Sequence, residues 1–185
     1  MRTSRRSGFS MIELVATLVI MGIVAGMAVP RIDLSRMRSD AALRQVMTVM
    51  MQAQRTALTK QHNVLVSIDV PNGRVRLVED KNNSSTFDTG DRAVWVALES
   101  GVSFSAAPAP LDGLSGVTSF VKPKTIDAYP SVIFRRNGAA SSDVALFLSS
   151  KASDAGASRA VYITQSTGRA DGFKYALNGW VRAGI

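Results

Sequence analysis

The feature that most constrains this chain is a run of 19 residues, 11–29, that carries one charge, Glu13. The run reads MIELVATLVIMGIVAGMAV, and Thr17 supplies its only hydroxyl. Wound as a helix at about 1.5 Å per residue, it comes close to the ~30 Å hydrocarbon core of a bilayer. The preceding segment, MRTSRRSG, holds three arginines and no acid. Positive flanks stay on the cytoplasmic side, which places the C-terminal body outside the cytoplasm. Three readings accommodate such a run. It is a secretory signal cut after a small residue such as Ala28, a plain single-span anchor in which Glu13 is incidental, or a helix in which Glu13 has a job.

Glu13 separates these readings. An ionised carboxylate in apolar surroundings costs several kcal/mol unless it is paired. The local string is Gly8-Phe9-Ser10-Met11-Ile12-Glu13. A cut after Gly8 would create an amine on Phe9, four residues before Glu13. Amine and carboxylate could then neutralise each other, within one chain or between neighbours, and would set the axial register between subunits.

The string RRSGFSMIELVATLVIMGIVAGMAVP resembles the prepilin signal of type IV pilins and type II secretion pseudopilins. That pattern is a short basic leader ending in Gly, then Phe, then Glu at the fifth mature position, then an apolar helix. Gly8, Phe9 and Glu13 match it, and Pro30 falls where many pilins have a helix-bending proline. The resemblance implies leader cleavage between Gly8 and Phe9 by a prepilin peptidase, N-methylation of Phe9, and an assembly role for Glu13.

Composition fits one modest domain behind this segment. The chain has 185 residues, 46% hydrophobic and 19% charged, so a packed core is within reach. Net charge is +8, and three of those charges are Arg2, Arg5 and Arg6, so without them about +5 remains. A basic balance permits contact with DNA or anionic lipid without requiring either. There is no cysteine, which excludes disulfides, thiol catalysis and cysteine-ligated metals. His62 is the one histidine, so a Ser-His-Asp triad would have to use it and a His-rich metal site is impossible. No carboxylate pair, nucleophile constellation or phosphate loop stands out. The reading is a non-enzymatic protein with no cofactor and no metal. Asp69, Glu79, Asp80, Asp88 and Asp91 lie in or beside turns, where a solvated role is expected.

Beyond Pro30, which should kink the helix rather than end it, Leu43, Val46, Met50, Ala53 and Ala57 recur at spacings of three and four. This amphipathic stripe predicts one long helix over 9–60, with Met37, Met47, Met50 and Met51 as core residues. From His62 the period changes to two. Val64, Val66, Ile68 and Val70 alternate with Leu65, Ser67 and Asp69, and Pro71-Asn72-Gly73 is a turn into Val75 and Leu77. A second hairpin is expected from 93–98 and 102–105, joined at Ser100-Gly101. A loop follows over 106–116, then strands over 131–135, 144–149, 159–165 and 169–177. The segments 81–91 and 151–158 read as loops. The fold class is therefore α+β: a long N-terminal transmembrane and amphipathic helix, then an antiparallel β-rich pilin-like domain. The divisions are a leader at 1–8, a transmembrane or filament-core helix at 9–29, its amphipathic continuation at 30–61, and a periplasmic β-rich domain at 62–185.

The C-terminal third resembles the GspH/FimT branch of the pseudopilins and minor pilins. That branch shows a Phe-x-x-x-Gly turn, a late strand, and Gly-Arg. Phe134 with Gly138, and Gly168 with Arg169, match. The resemblance implies a minor subunit of a type II secretion pseudopilus or type IV pilus, near the tip and aiding assembly and protein secretion. Its implied partners are other pseudopilins or pilins, the prepilin peptidase, and an inner-membrane assembly platform. Its implied place is the inner membrane, single-pass, before incorporation into a filament. FimT-like members that take up DNA use arginines near Gly-Arg. That makes Arg135, Arg136, Arg159, Arg169 and Lys174 candidate DNA contacts, joined by Arg182, with Phe173, Tyr175 and Trp180 as stacking candidates. Ala170 and Asp171 follow Arg169, so a second closely spaced arginine is missing there. For Arg169 the alternative is bracing a loop carboxylate, and for Gly138 and Gly168 it is a turn needing positive φ.

Overall fold

The computed structural model describes residues 9–28, 34–105, 123–151, 153–177 and 179–184. The leader with Gly8, the Pro30 kink and the loop expected over 106–116 fall outside them. The chain divides into two units, Met1–Leu34 and Ser35–Ile185.

The first unit contains helix α1, Met11–Ala28. Its first turn is closed by Ser10, whose carbonyl accepts the N–H groups of Glu13 and Leu14 at 3.0 and 3.1 Å. Glu13 in that turn complements the positive helix end. Eleven large apolar side chains of this unit, from Phe9 to Val24, are exposed. Among the described residues no helix is long and apolar enough to cross a membrane.

The second unit opens with helix α2, Leu34–Lys60. All five residues of the predicted stripe, Leu43, Val46, Met50, Ala53 and Ala57, are buried. Of the four methionines expected in the core, only Met50 is fully buried; Met47 packs partly against the core, and Met37 and Met51 are exposed. Their side chains leave α2 on its wet flank, where an unbranched thioether is tolerated.

Ten strands follow: β1 Asn63–Asp69, β2 Arg74–Asp80, β3 Arg92–Ala97, β4 Ser103–Phe104, β5 Lys124–Ile126, β6 Tyr129–Phe134, β7 Val144–Ser149, β8 Ser158–Ile163, β9 Ala170–Ala176 and β10 Gly179–Arg182. A 3₁₀ turn, Ala155–Ala157, precedes β8. The strands form two antiparallel sheets of five, in the orders β3-β2-β1-β6-β5 and β10-β9-β8-β7-β4. The predicted hairpin at Pro71-Asn72-Gly73 is present, pairing Asp69 with Arg74 across Gly73 at φ +57°. The expected second hairpin is not. β3 pairs with β2, whereas β4 pairs with β7 in the other sheet, so the turn at Gly101 is a sheet-to-sheet crossing.

α2 lies against both sheets in one core. Its stripe meets Val64, Val66, Ile68 and Phe134 of the first sheet and Val144, Leu146, Leu148, Val161 and Ile163 of the second. Each such large side chain, fully buried, contributes about 1.5–3 kcal/mol. Leu65, Ser67 and Asp69, which alternate in β1 with the residues of this core, are also buried. β1 is a central strand, and its other face carries a second cluster of Leu65, Val78, Ile126 and Ile133. Beside this cluster the Arg76 guanidinium bonds Asp127 at 3.0 Å and lies 4.7 Å from the Phe87 ring and 5.1 Å from that of Tyr129.

Asp69 and Asp80 are likewise buried rather than solvated. Asp69 accepts from Asn72 N–H, Asn72 Nδ2 and Arg74 Nε, which fixes the hairpin. Burial pushes its carboxyl up, but the bonds from Arg74 and Asn72 outweigh burial and hold it below its usual value. Asp80 accepts the N–H groups of Ser84 and Ser85 and so anchors the loop 81–91.

Candidate functional site

At the N-terminus, Phe9 and Glu13 are both exposed, on the same short segment that starts α1. No ion pair engages the Glu13 carboxylate among the described residues. α1 thus presents an apolar surface broken by one acid close to its start. Moving such a surface out of water into an apolar environment is favourable.

In the second unit, the structure brings the two halves of the C-terminal motif together. Phe134 ends β6, fully buried in the core. The chain then turns through Arg135-Arg136-Asn137-Gly138, closed by Gly138 N–H to Arg135 O at 2.7 Å and Arg135 N–H to Ala139 O at 2.8 Å. Gly138 has φ +84° and Gly168 φ +66°, so both glycines serve turns that L side chains rarely adopt. They also touch. A Cβ on Gly168 would sit 2.0 Å from Gly138 O. Gln54 of α2 clamps both turns, its Nε2 donating to Gly138 O at 3.0 Å and Thr167 O at 2.6 Å. Ala140 N–H to Gln165 O at 2.9 Å ties the same two turns again. The motif is therefore a double turn locked to the helix.

Arg169, beside this lock, pairs with Asp171 at 2.8 Å, and Arg182 of β10 pairs with the same oxygen at 3.0 Å. The acid that interrupts the arginine pattern is the group Arg169 braces, and it lies on a strand rather than a loop. Arg159 is buried and bonds Asp40 of α2 at 2.6 Å, with further bonds from Nη1 to Gly156 O and Ser158 O. Its charge is used inside the domain, which removes it from the candidate nucleic-acid contacts. Lys174 is exposed on β9. Phe173 and Trp180 are buried on the outer face of the second sheet, where Trp180 lies 5.5 Å from Phe147 and 5.4 Å from Tyr175. Those rings are committed to one another.

Arg135 and Arg136 differ from the other candidate arginines. Both are exposed, and neither guanidinium has a partner among the described residues. Sequence reasoning grouped them with the other cations by proximity along the chain. It missed what surrounds them, because Asn63 and Asn83 come from 50 or more residues away.

The chain thus carries an acid-bearing apolar helix in its first unit and, in its second, an α-helix packed on two antiparallel sheets. Residues 3–29 match the family model for the prokaryotic N-terminal methylation motif. No curated protein matches the sequence at a significant level. Two solved structures of the minor pseudopilin EpsH from the type 2 secretion system of Vibrio cholerae are similar. One is 10% identical, with TM-score 0.48 over 70% of this chain and 92% of that chain. The other is 11% identical, with TM-score 0.43 over 71% and 91%.

Proposed function

We propose that this chain is a minor pseudopilin or pilin of the GspH/FimT type, a structural rather than catalytic subunit of a type II secretion pseudopilus or type IV pilus. A prepilin peptidase removes residues 1–8, and Phe9 becomes the methylated N-terminus. The helix from 9 to 29 holds the protein in the inner membrane, with the β-rich domain on the periplasmic side. An inner-membrane assembly platform then passes it into a filament, near the tip, where α1 exchanges lipid for the like helices of other subunits. The observation that carries this reading is the continuous apolar exposure of α1, interrupted by Glu13 four residues after Phe9.

Intact-mass analysis of the protein isolated from its native membranes tests the proposal. The expected species begins at N-methyl-Phe9; an intact leader, or any other start, sinks the reading. The alternative, a DNA-binding minor pilin for natural transformation, rests chiefly on Arg135, Arg136 and Lys174. Arg159 is internal, Arg169 and Arg182 share the one carboxylate of Asp171, and the aromatic rings are packed. A salt-dependent shift of DNA by the protein would restore that alternative.

A further inference from the structure

The double turn carries Arg135 and Arg136 along the rim of a concavity of about 520 Å³. Among the described residues, neither a carboxylate nor an aromatic ring lines it. Three of its polar side chains share one property, which comes from how the backbone uses them. Asn83 Oδ1 accepts Asn63 N–H at 2.8 Å. Asn137 Oδ1 accepts Ala139 N–H at 3.1 Å, and Ser141 Oγ accepts Ile133 N–H at 3.1 Å. In each case a main-chain donor occupies the acceptor and leaves the amide or hydroxyl hydrogens for a ligand. With two guanidinium forks added, the basin offers donors and positive charge. It is also held in shape beforehand, because the arginine turn is clamped to α2 by Gln54 and backed by Leu58, whose methyl lies 3.1 Å from where a Gly138 Cβ would stand.

We propose that this basin docks an acidic peptide segment of a partner protein, with carboxylates on the Arg135 and Arg136 forks and peptide carbonyls on the Asn83, Asn137 and Ser141 donors. A carboxylate fits the planar fork through two parallel bonds. A nucleic-acid strand fits less well: its bases would find no ring to stack on, and they present donors as well as acceptors. A lone phosphate would fill only a fraction of the volume and could not reach donors spread over the 83–85, 135–137 and 141 segments. The inference does not depend on the filament reading.

The test uses the full chain in detergent micelles and a fluorescein-labelled hexaglutamate peptide, followed by anisotropy at low and moderate salt. Binding is expected, and Arg135→Gln/Arg136→Gln should weaken it at least about tenfold. The Arg135→Lys/Arg136→Lys pair should fall between, because charge is kept and the fork is lost. Lys174→Gln should change it less than about twofold. Asn137→Asp keeps the acceptor for Ala139 while adding a negative charge to the basin, so it should weaken binding with the fold intact. Unchanged thermal melting of each variant confirms that the fold survives. Absence of binding by the wild type, equal binding by the double glutamine variant, tighter binding of a twelve-residue thymidine strand, or full displacement by equimolar inorganic phosphate would each overturn the proposal.

Discussion

At the scale of single residues, the motif glycines were legible as turn positions, but their mutual contact was not. Positive φ follows from local chemistry, whereas the approach of Gly168 to Gly138 O depends on two distant turns meeting. That contact separates two otherwise similar substitutions. Gly168→Ala places a methyl 2.0 Å from a backbone oxygen that Gln54 also holds, so it should destabilise the domain by about 2–4 kcal/mol. Gly138→Ala has the Leu58 side chain as its nearest neighbour, at 3.1 Å rather than a backbone atom at 2.0 Å, and should cost about 1–2 kcal/mol. Urea unfolding of the two variants checks the order, and a smaller loss for Gly168→Ala would show that the turns do not bear on each other. Asp69 makes a second prediction. Its folded-state pKa lies below the ordinary 3.8, so the unfolded chain binds the proton more readily. The stability it contributes is present above about pH 4 and is lost as pH falls through the lower folded value. Asp69→Asn should therefore flatten the acid limb of a melting-temperature-against-pH curve. An unchanged limb would mean that the Arg74 and Asn72 bonds do not favour the charged form.

At the scale of elements, α2 could be read because helical periodicity is local, and the five residues singled out are all core. Two hairpins were not read, for different reasons. The β5–β6 turn is Asp127-Ala128, with φ +49° and +66°, and the β9–β10 turn begins at Leu177 with φ +52°. Two-residue hairpin turns need positive φ, which usually advertises itself as Asn-Gly or Asp-Gly. In the β5–β6 turn alanine occupies such a position, so β5 gave no turn signal; in the β9–β10 turn leucine does, and the Asn178-Gly179 pair that follows it in the sequence was a hairpin signal left unused. The pairing of β3 was misread because sequence proximity favoured β4, while Val94 and Val96 pair with Leu77 and Val75 instead. α2 itself supports two predictions. Ala42, Ala53 and Ala57 are fully buried between the helix and the sheets, so Ala53→Leu should overpack that space and cost about 1–3 kcal/mol. Gln54→Ala removes two bonds to the motif turns and should cost about 1–2 kcal/mol. The two sites differ in kind. Hydrogen exchange in Gln54→Ala should quicken at Gly138 and Gly168 before it quickens in β1, whereas Ala53→Leu should loosen α2 and both sheets together.

For the whole molecule, the two units answer to different solvents. The second unit buries its own core; the described residues of the first from Phe9 to Val24 expose eleven large apolar side chains that, at about 1.5–3 kcal/mol each, represent tens of kcal/mol left unburied. A phase-separating detergent should therefore carry the full chain into the detergent phase, while a chain beginning at Leu34 stays in water and melts within about 2 °C of the full chain. Aggregation or a large drop in melting temperature of the shorter chain would show that α1 helps hold the second unit together. Glu13 then separates two properties that an apolar helix alone would confound. Replacing it by leucine removes a charge that costs several kcal/mol in hydrocarbon, so detergent partitioning should strengthen. Yet if the carboxylate serves to pair with a neighbour's Phe9 amine, the same substitution should leave leader cleavage intact and abolish incorporation into filaments. Stronger membrane retention with lost assembly is the signature of a carboxylate kept for register. Normal assembly by Glu13→Leu would leave hydrophobic packing as the whole of α1's contribution and remove the physical argument for a specific subunit interface at its N-terminus.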